Sequence, residues 1–338
     1  MSSPEAGVRA PTMTGIWPCI AAAGGDAERV FRRAGLDLSE IRDPSRWIRE
    51  EQYRRVLEFA SEATGDDCFA LRVGTAFDLR NYGILGYATL NCATLGEAAA
   101  SLVRYFEVMR KGARFTLKVE GETASVRFHA VKSPYEMPRH EAELALARLC
   151  KGIRDLVGSD WMPQRVHFAH QRKGGLDEHE RFFGVRPHFG MDGNRVVLSR
   201  ADMQRRNRAA DQRLYQIMKH RLEALLPERG EDDLVLKVRE EIAEALSEGA
   251  SLNATAGRLG LGARTLQRRL RDRGLAYNDL VEQVRREESF RHLRHGDLQI
   301  SEIAVRLGYS EVSAFDRAFR RWSGTSPLAF RQDARRGA

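Results

Sequence analysis

Two short stretches near the C-terminal end of this 338-residue sequence space arginines in a way that can do chemistry on an anionic polymer. In the first, Arg264, Gln267, Arg268 and Arg271 are interleaved with Leu266 and Leu270. In the second, Val312, Ser313, Arg317 and Arg320 surround Phe315 and Phe319. A guanidinium presents five N–H donors in a planar fork that fits the N7 and O6 acceptors of guanine, or a phosphate; Gln matches the edge of adenine, and Ser serves either group. At 100° per residue, Phe315, Phe319, Trp322 and Val312 fall in a stripe about 80° wide, and Ser313, Arg317 and Arg320 project from the other side. Both stretches read as amphipathic helices with an apolar inner face and a cationic outer one.

A repeat must position these helices. Ala256-x-x-Leu259-Gly260 recurs as Ala304-x-x-Leu307-Gly308, 48 residues on, and Leu266-Gln-Arg-Arg-Leu270 recurs as Phe315-Asp-Arg-Ala-Phe319 at an offset of 49. In each copy a short helix with a small Ala ends at Leu-Gly, where Gly lets the backbone leave the helical region, and a second helix begins. That is the anatomy of a helix-turn-helix, expected at about 252–274 and 300–322. One arginine-rich helix is most often a solvated surface. Two copies at matched spacing, each with a basic outer face, point to double-stranded DNA. The charge agrees: of the net +8, residues 234–338 carry +5 (19 basic, 14 acidic) and the other 233 residues +3.

The run Ile303-Ala304-x-x-Leu307-Gly308-Tyr309-Ser310-x-x-Ser313-x-Phe315-x-Arg317-x-Phe319, continued by Gly324-x-Ser326-Pro327-x-x-Phe330-Arg331, resembles the C-terminal signature of the AraC/XylS family of transcription regulators. Arg264 to Leu270 and Gly274 fit that family's first unit. The resemblance implies two helix-turn-helix motifs joined by a central helix, here about 278–293, reading successive faces of the major groove. By position it implies base-reading roles for Arg264, Gln267 and Arg268, and for Val312, Ser313 and Arg317; Arg271 and Arg320 extend the same faces. Ser289 stands where a small Ala is common, and Phe330 replaces a usual Tyr. Family habit implies activation of transcription, with an operator and RNA polymerase as partners.

Ahead of a polar linker at 227–233, residues 1–226 read as an α+β domain, and 234–338 as an all-α DNA-binding domain. Thr94-Leu-Gly-Glu97 is a capping box opening a helix that should run through Met109. Alternation at Phe115, Leu117 and Val119, a turn at Gly121, and alternation at Val126, Phe128 and Ala130 predict a hairpin. Leu146, Leu149, Cys150, Ile153, Leu156 and Val157 share one helical face; short strands are expected at 166–168 and 196–198, and a helix over about 210–226. Tyr82-Gly-Ile-Leu-Gly-Tyr87, Thr94 to Glu97, and Phe182-Phe-Gly184 with Phe189 resemble the arabinose-binding-type sensor domain of the ornithine-regulator-like branch of the family. In that branch the domain receives a small-molecule effector and helps form homodimers; no motif transfers its ligand-binding residues.

Other chemistry finds little footing. His140-Glu-Ala-Glu143 lacks the second His of a zinc helix, and His167 and His170 are three apart but lie on or beside a strand pattern, with His179 and His188 further along. There is no G-x-S-x-G and no phosphate-cradling loop. No catalytic residue, metal or cofactor is expected; an enzyme fused to a DNA-binding module and a ligand-independent DNA binder are the rival readings. Cys19, Cys68, Cys92 and Cys150 are too scattered for a zinc knuckle or redox pair and should be buried thiols. The apolar run 16–25 is short, interrupted by Pro18 and poorly charged in front, unlike a signal peptide, and no stretch suits a membrane span, so a cytoplasmic location is expected.

Overall fold

Apolar residues recur with periods of both 2 and 3.6 before residue 227 and with 3.6 alone after it, and the architecture follows that change. The computed structural model describes residues 6–130, 137–173, 176–191, 193–226, 232–295 and 298–336. Its contacts separate two units, Met1–Pro227 and Glu228–Ala338. Most of the expected linker, 227–231, lies outside the described residues; its last two positions, Asp232 and Asp233, already belong to a helix.

The front unit runs β1 (Gly7–Arg9), α1 (Ile16–Ala22), α2 (Ala27–Arg33), β2 (Trp47–Arg49), α3 (Glu50–Thr64), α4 (Phe69–Thr75), α5 (Ile84–Leu90), α6 (Leu95–Tyr105), β3 (Arg110–Lys111), β4 (Ala113–Glu120), β5 (Thr123–Ala130), α7 (Arg139–Val157), β6 (Arg165–His167), α8 (Asp177–Phe183), β7 (Asn194–Ser199) and α9 (Gln212–Leu225). It is α+β, with an antiparallel three-stranded sheet in the order β2-β1-β3 and a four-stranded one in the order β4-β5-β7-β6. The hairpin register pairs Phe115 with Phe128, and Val126 pairs onward with Val196, so one face of the larger sheet is apolar. Against that face lie Leu85 of α5, Leu95 and Leu102 of α6, and Leu146, Leu149 and Ile153 of α7. A second core gathers α1 to α4 around Phe31, Ile48, Val56 and Phe69. The run at 16–25 contributes to it: Ile16 and Ile20 of α1 are fully buried.

The capping box forms with one change. Thr94 Oγ1 accepts from the Glu97 amide at 3.2 Å, but the Glu97 carboxylate accepts from Ala93, one residue earlier than the pattern predicts. The helix it opens ends at Tyr105; a 3-10 turn, Phe106–Val108, then turns the chain into β3. Cys68, Cys92 and Cys150 are buried and Cys19 is half-buried, all as free thiols. Burial pushes the Cys92 and Cys150 thiols up to about 12, which makes them poor nucleophiles.

The two cores are joined by buried charge. Arg110 of β3 pairs with Glu141 of α7 and, at 2.6 Å, with Glu50 of α3, while Arg54 meets Glu141 at 2.6 Å. His129 is also enclosed, and burial, reinforced by Arg127 and Arg114, pushes its pKa down to about 3. Between pH 6.5 and 3 the unfolded chain therefore binds a proton that the folded one refuses. Stability present above pH 6.5 is lost as pH falls, by about 1.4 kcal/mol per pH unit for this residue. Urea unfolding of the full chain from pH 7 to 5 should show that loss in the front unit, and His129→Gln should flatten the slope by that amount. An unchanged slope would remove His129 as the cause.

Candidate nucleic-acid interface

The rear unit consists of α10 (Asp232–Ala245), α11 (Leu252–Arg258), α12 (Ala263–Arg271), α13 (Tyr277–His295), α14 (Ile300–Arg306), α15 (Val312–Ser323) and α16 (Pro327–Arg336). Its core is built from Val238, Ile242, Leu266, Leu270, Phe315 and Phe319 among others. The repeat has a hydrogen-bonding basis. The carbonyl of Ala256 accepts from Leu261 N at 2.8 Å, and that of Ala304 accepts from Tyr309 N at 2.9 Å, each a six-residue closure over the glycine. Both alanines are buried, which lets α11 and α14 sit close to their partner helices.

Gly260 and Gly308 take φ of +67° and +74°. The two sites differ in their surroundings. A Cβ on Gly308 would lie 2.1 Å from the Leu246 carbonyl oxygen, whereas one on Gly260 would meet nothing within 4 Å. Gly308→Ala should cost about 2–4 kcal/mol, combining backbone strain with overpacking, and Gly260→Ala about 1–2 kcal/mol from strain alone. Thermal unfolding followed at Trp322 checks the difference; equal losses would mean that Leu246 yields freely.

All eight residues read as DNA-facing are exposed: Arg264, Gln267, Arg268 and Arg271 on α12, and Val312, Ser313, Arg317 and Arg320 on α15. Val312 was also placed by angle in the core stripe. The structure leaves it 43% exposed, because it is the first residue of α15 and precedes the turn that packs. Among the described residues, the side chains of Arg264, Arg268, Arg271 and Arg317 make no hydrogen bond or ion pair. Arg320 differs, since Asp316 holds its Nε at 2.7 Å, and Ser313 Oγ donates to Glu311 at 2.9 Å.

Sequence reading missed how α13 ties the two motifs together. Arg285 donates from Nε to the Leu307 carbonyl at 2.9 Å and from Nη2 to that of Gly308 at 3.2 Å, and it lies 4.8 Å over the Tyr309 ring. It thereby clamps the turn of the second motif. On the first motif, Thr255 Oγ1 and Tyr277 Oη share a buried 2.8 Å hydrogen bond. Glu282 accepts from Trp322 Nε1 at 3.0 Å and from Arg321 at 2.7 Å, linking α13 to α15. The two departures noted in the sequence fit: Ser289 is fully buried with its hydroxyl donating to the Arg286 carbonyl at 2.6 Å, and Phe330 packs on Phe290 and Phe319.

A model of the arabinose-binding N-terminal domain of AraC transcription regulators matches residues 24–207, and a helix-turn-helix domain model matches 255–333. The chain belongs to the AraC family of transcription regulators. As an AraC-family member it is a DNA-binding transcription regulator with a helix-turn-helix domain behind an arabinose-binding-type one. The ornithine utilization regulator of Pseudomonas aeruginosa is 26% identical over 314 residues, covering 90% of this chain and 91% of that one. The regulator VirS of Mycobacterium tuberculosis is 28% identical over 328 residues, 96% of each chain. The crystal structure of the regulator CdpR from Pseudomonas aeruginosa aligns over 80% of this chain and 91% of that one, at 24% identity and a TM-score of 0.38.

In this AraC-family chain the front-unit motifs serve packing. Gly86 of the Tyr82–Tyr87 motif sits where a Cβ would lie 1.7 Å from the Leu79 carbonyl oxygen, and Phe189 stacks on Phe168 at 5.4 Å. A cavity of about 40 Å³ lies between the larger sheet and α5, α6 and α7, lined by Leu102, Phe115, Leu149, Tyr82 and Arg148 among others. Glu143 gathers two of the histidines singled out in the sequence, His179 at 3.4 Å and His170 at 3.6 Å. Asp66, Cys68 and Glu178 also converge, but Arg72 already pairs with both carboxylates, at 2.5 and 2.8 Å. Among the described residues, no helix is long and apolar enough to cross a membrane.

Proposed function

We propose that α12 and α15 read an operator in successive turns of the major groove, and that a small molecule in the front unit sets the affinity. The observation that carries the first part is the pair of outward faces on which Arg264, Arg268, Arg271 and Arg317 have no partner among the described residues. Arg268 and Arg317 would take base edges bidentately, Gln267 would read adenine, and Arg271, Arg320 and Ser313 would serve phosphates or bases. Val312 would contact a thymine methyl. The match of residues 24–207 to the arabinose-binding N-terminal domain supports ligand control over a purely ligand-independent binder. Activation through RNA polymerase, and self-association as a homodimer, follow from the family resemblance.

Residues 228–338, which include all of α10 and its core contacts, should fold alone and bind DNA. This start improves on 234, which would cut into α10. Affinity should fall with salt at a log–log slope of about −0.9 for each phosphate neutralised. A folded fragment that ignores DNA at low salt would defeat the reading. For ligand control, genomic fragments selected with the purified chain supply an operator, on which candidate effectors are titrated at fixed salt. A tenfold change in affinity requires the ligand to prefer one state by about 1.4 kcal/mol. In vitro transcription with RNA polymerase then shows the direction of control; a ligand that binds without moving DNA affinity, oligomeric state or transcription would count against the mechanism.

A further inference from the structure

Three acidic residues lie on α14, on α15 or at the turn between them, and two have evident partners. Glu302 accepts from the Gln299 amide at 2.7 Å in the capping box that opens α14, and Asp316 holds Arg320 at 2.7 Å. Glu311 differs. It is the exposed N-cap residue of α15, yet its carboxylate makes no cap bond to the helix amides, and among the described residues no cation pairs with it. Its contact is Ser313, whose Oγ donates to it at 2.9 Å. The reading helix of the first motif, α12, carries no acid at all. A carboxylate near phosphates is repelled, so on a DNA-facing helix it weakens binding to every sequence unless a base compensates.

The bond to Ser313 narrows which base can do so. A hydroxyl has one proton and an ionised carboxylate has none. With that proton committed to Glu311, both side chains present lone pairs alone. Such a pair cannot donate to a phosphate, or to the N7 and O6 acceptors of guanine. It calls for an amine, and the major groove offers two, N4 of cytosine and N6 of adenine. Adenine sets its N7 acceptor beside N6, where it opposes the second carboxylate oxygen; cytosine has no acceptor of its own on that edge.

We propose that Glu311, together with Ser313, reads a cytosine within the stretch of operator that α15 contacts. The assignment rests on the reading of α15 as a major-groove helix and adds to it a named base. Arg317 lies six residues further along the chain. That is about 9 Å of helix, close to three base-pair steps. The cytosine should therefore fall within about three base pairs of the position that Arg317 reads.

Operators are selected from a randomised duplex library with the full chain, unaltered and as Glu311→Ala, Glu311→Gln and Arg317→Ala, and each base preference is then titrated. The unaltered chain should prefer cytosine at one position by roughly tenfold or more. Glu311→Ala should cut that preference below about twofold, leave the position relaxed by Arg317→Ala unchanged, and bind unrelated duplex about two- to fivefold more tightly at low salt, because a repulsion has gone. Glu311→Gln, which sets a donor beside its acceptor, should move the choice toward adenine. Specificity and general affinity thus change in opposite directions, which loss of a merely structural contact would not produce. Thermal unfolding of each variant accompanies the selections. A Glu311→Ala chain that is less stable but selects the same operator makes Glu311 a helix-end charge and overturns the assignment, as does relaxation at a guanine or thymine instead. If Arg317→Ala relaxes a position and Glu311→Ala relaxes none, the arginine reading stands and this one falls; a chain that selects no sequence defeats both.

Discussion

Arg268→Ala and Arg317→Ala are each expected to weaken binding to the selected operator by about 1–3 kcal/mol, and together by about 2–6 kcal/mol, roughly 30-fold to more than 10⁴-fold. The two sites sit on different motifs with no shared partner, which is why their effects should add. Neither side chain holds the fold: both are exposed and make no protein hydrogen bond or ion pair among the described residues, so their loss should leave thermal stability within about 0.5 kcal/mol. Arg320→Ala should cost less, since Asp316 competes for that guanidinium and must release it first. Binding measured against operators randomised one base pair at a time separates base reading from charge. If Arg268 and Arg317 read bases, discrimination relaxes at a few positions about one helical turn apart. A uniform loss over all sequences would make them phosphate contacts.

Glu141→Ala should destabilise the front unit by up to about 3–5 kcal/mol, the cost of taking one of its two carboxylates from the buried Arg110. Glu141 is 1% exposed and serves two guanidiniums, Arg110 and Arg54, that come from different elements. Glu50 remains to both but is farther from Arg54, at 3.3 Å. Joint replacement, Glu141→Leu with Arg110→Met, should recover much of the loss, because it removes the charge as well as its partner. Denaturant unfolding followed by Trp17, Trp47 and Trp161 measures both. A single-variant loss below about 1 kcal/mol would show that water reaches Arg110 once the carboxylate is gone. DNA binding by the rear unit on its own should be unaffected, which separates this effect from the first.

The rear unit was legible because its determinants are local and repeated. Ala256 and Ala304 close the same six-residue turn over a glycine, and helices of nine and twelve residues, α12 and α15, bury leucines and phenylalanines on one face and point arginines off the other. A pattern that depends on neighbours a turn away is written along the chain. The β4–β5 hairpin was legible for the same reason, through a period of 2 on both sides of Gly121. The first 49 residues were left unassigned because β1, α1, α2 and β2 span only three to seven residues, too few to show a period, and are stabilised by a shared core; the fifteen-residue α3 did carry a period, in Tyr53, Val56, Leu57 and Ala60. Val312 was ambiguous in sequence, and only its place at the start of α15 turned it outward.

Charge shows the division most clearly. Glu141 and Arg148 sit seven residues apart on α7, and nothing in their spacing distinguishes a paired carboxylate from an unpaired guanidinium. The tertiary fold brings Arg110 and Arg54 to the first, and a carbonyl, two aromatic rings and an apolar cavity to the second. Desolvation depends on everything that surrounds a group at once, so the sequence by itself determined the two helices with cationic outer faces, and only the tertiary structure decided which buried charges meet a counter-charge.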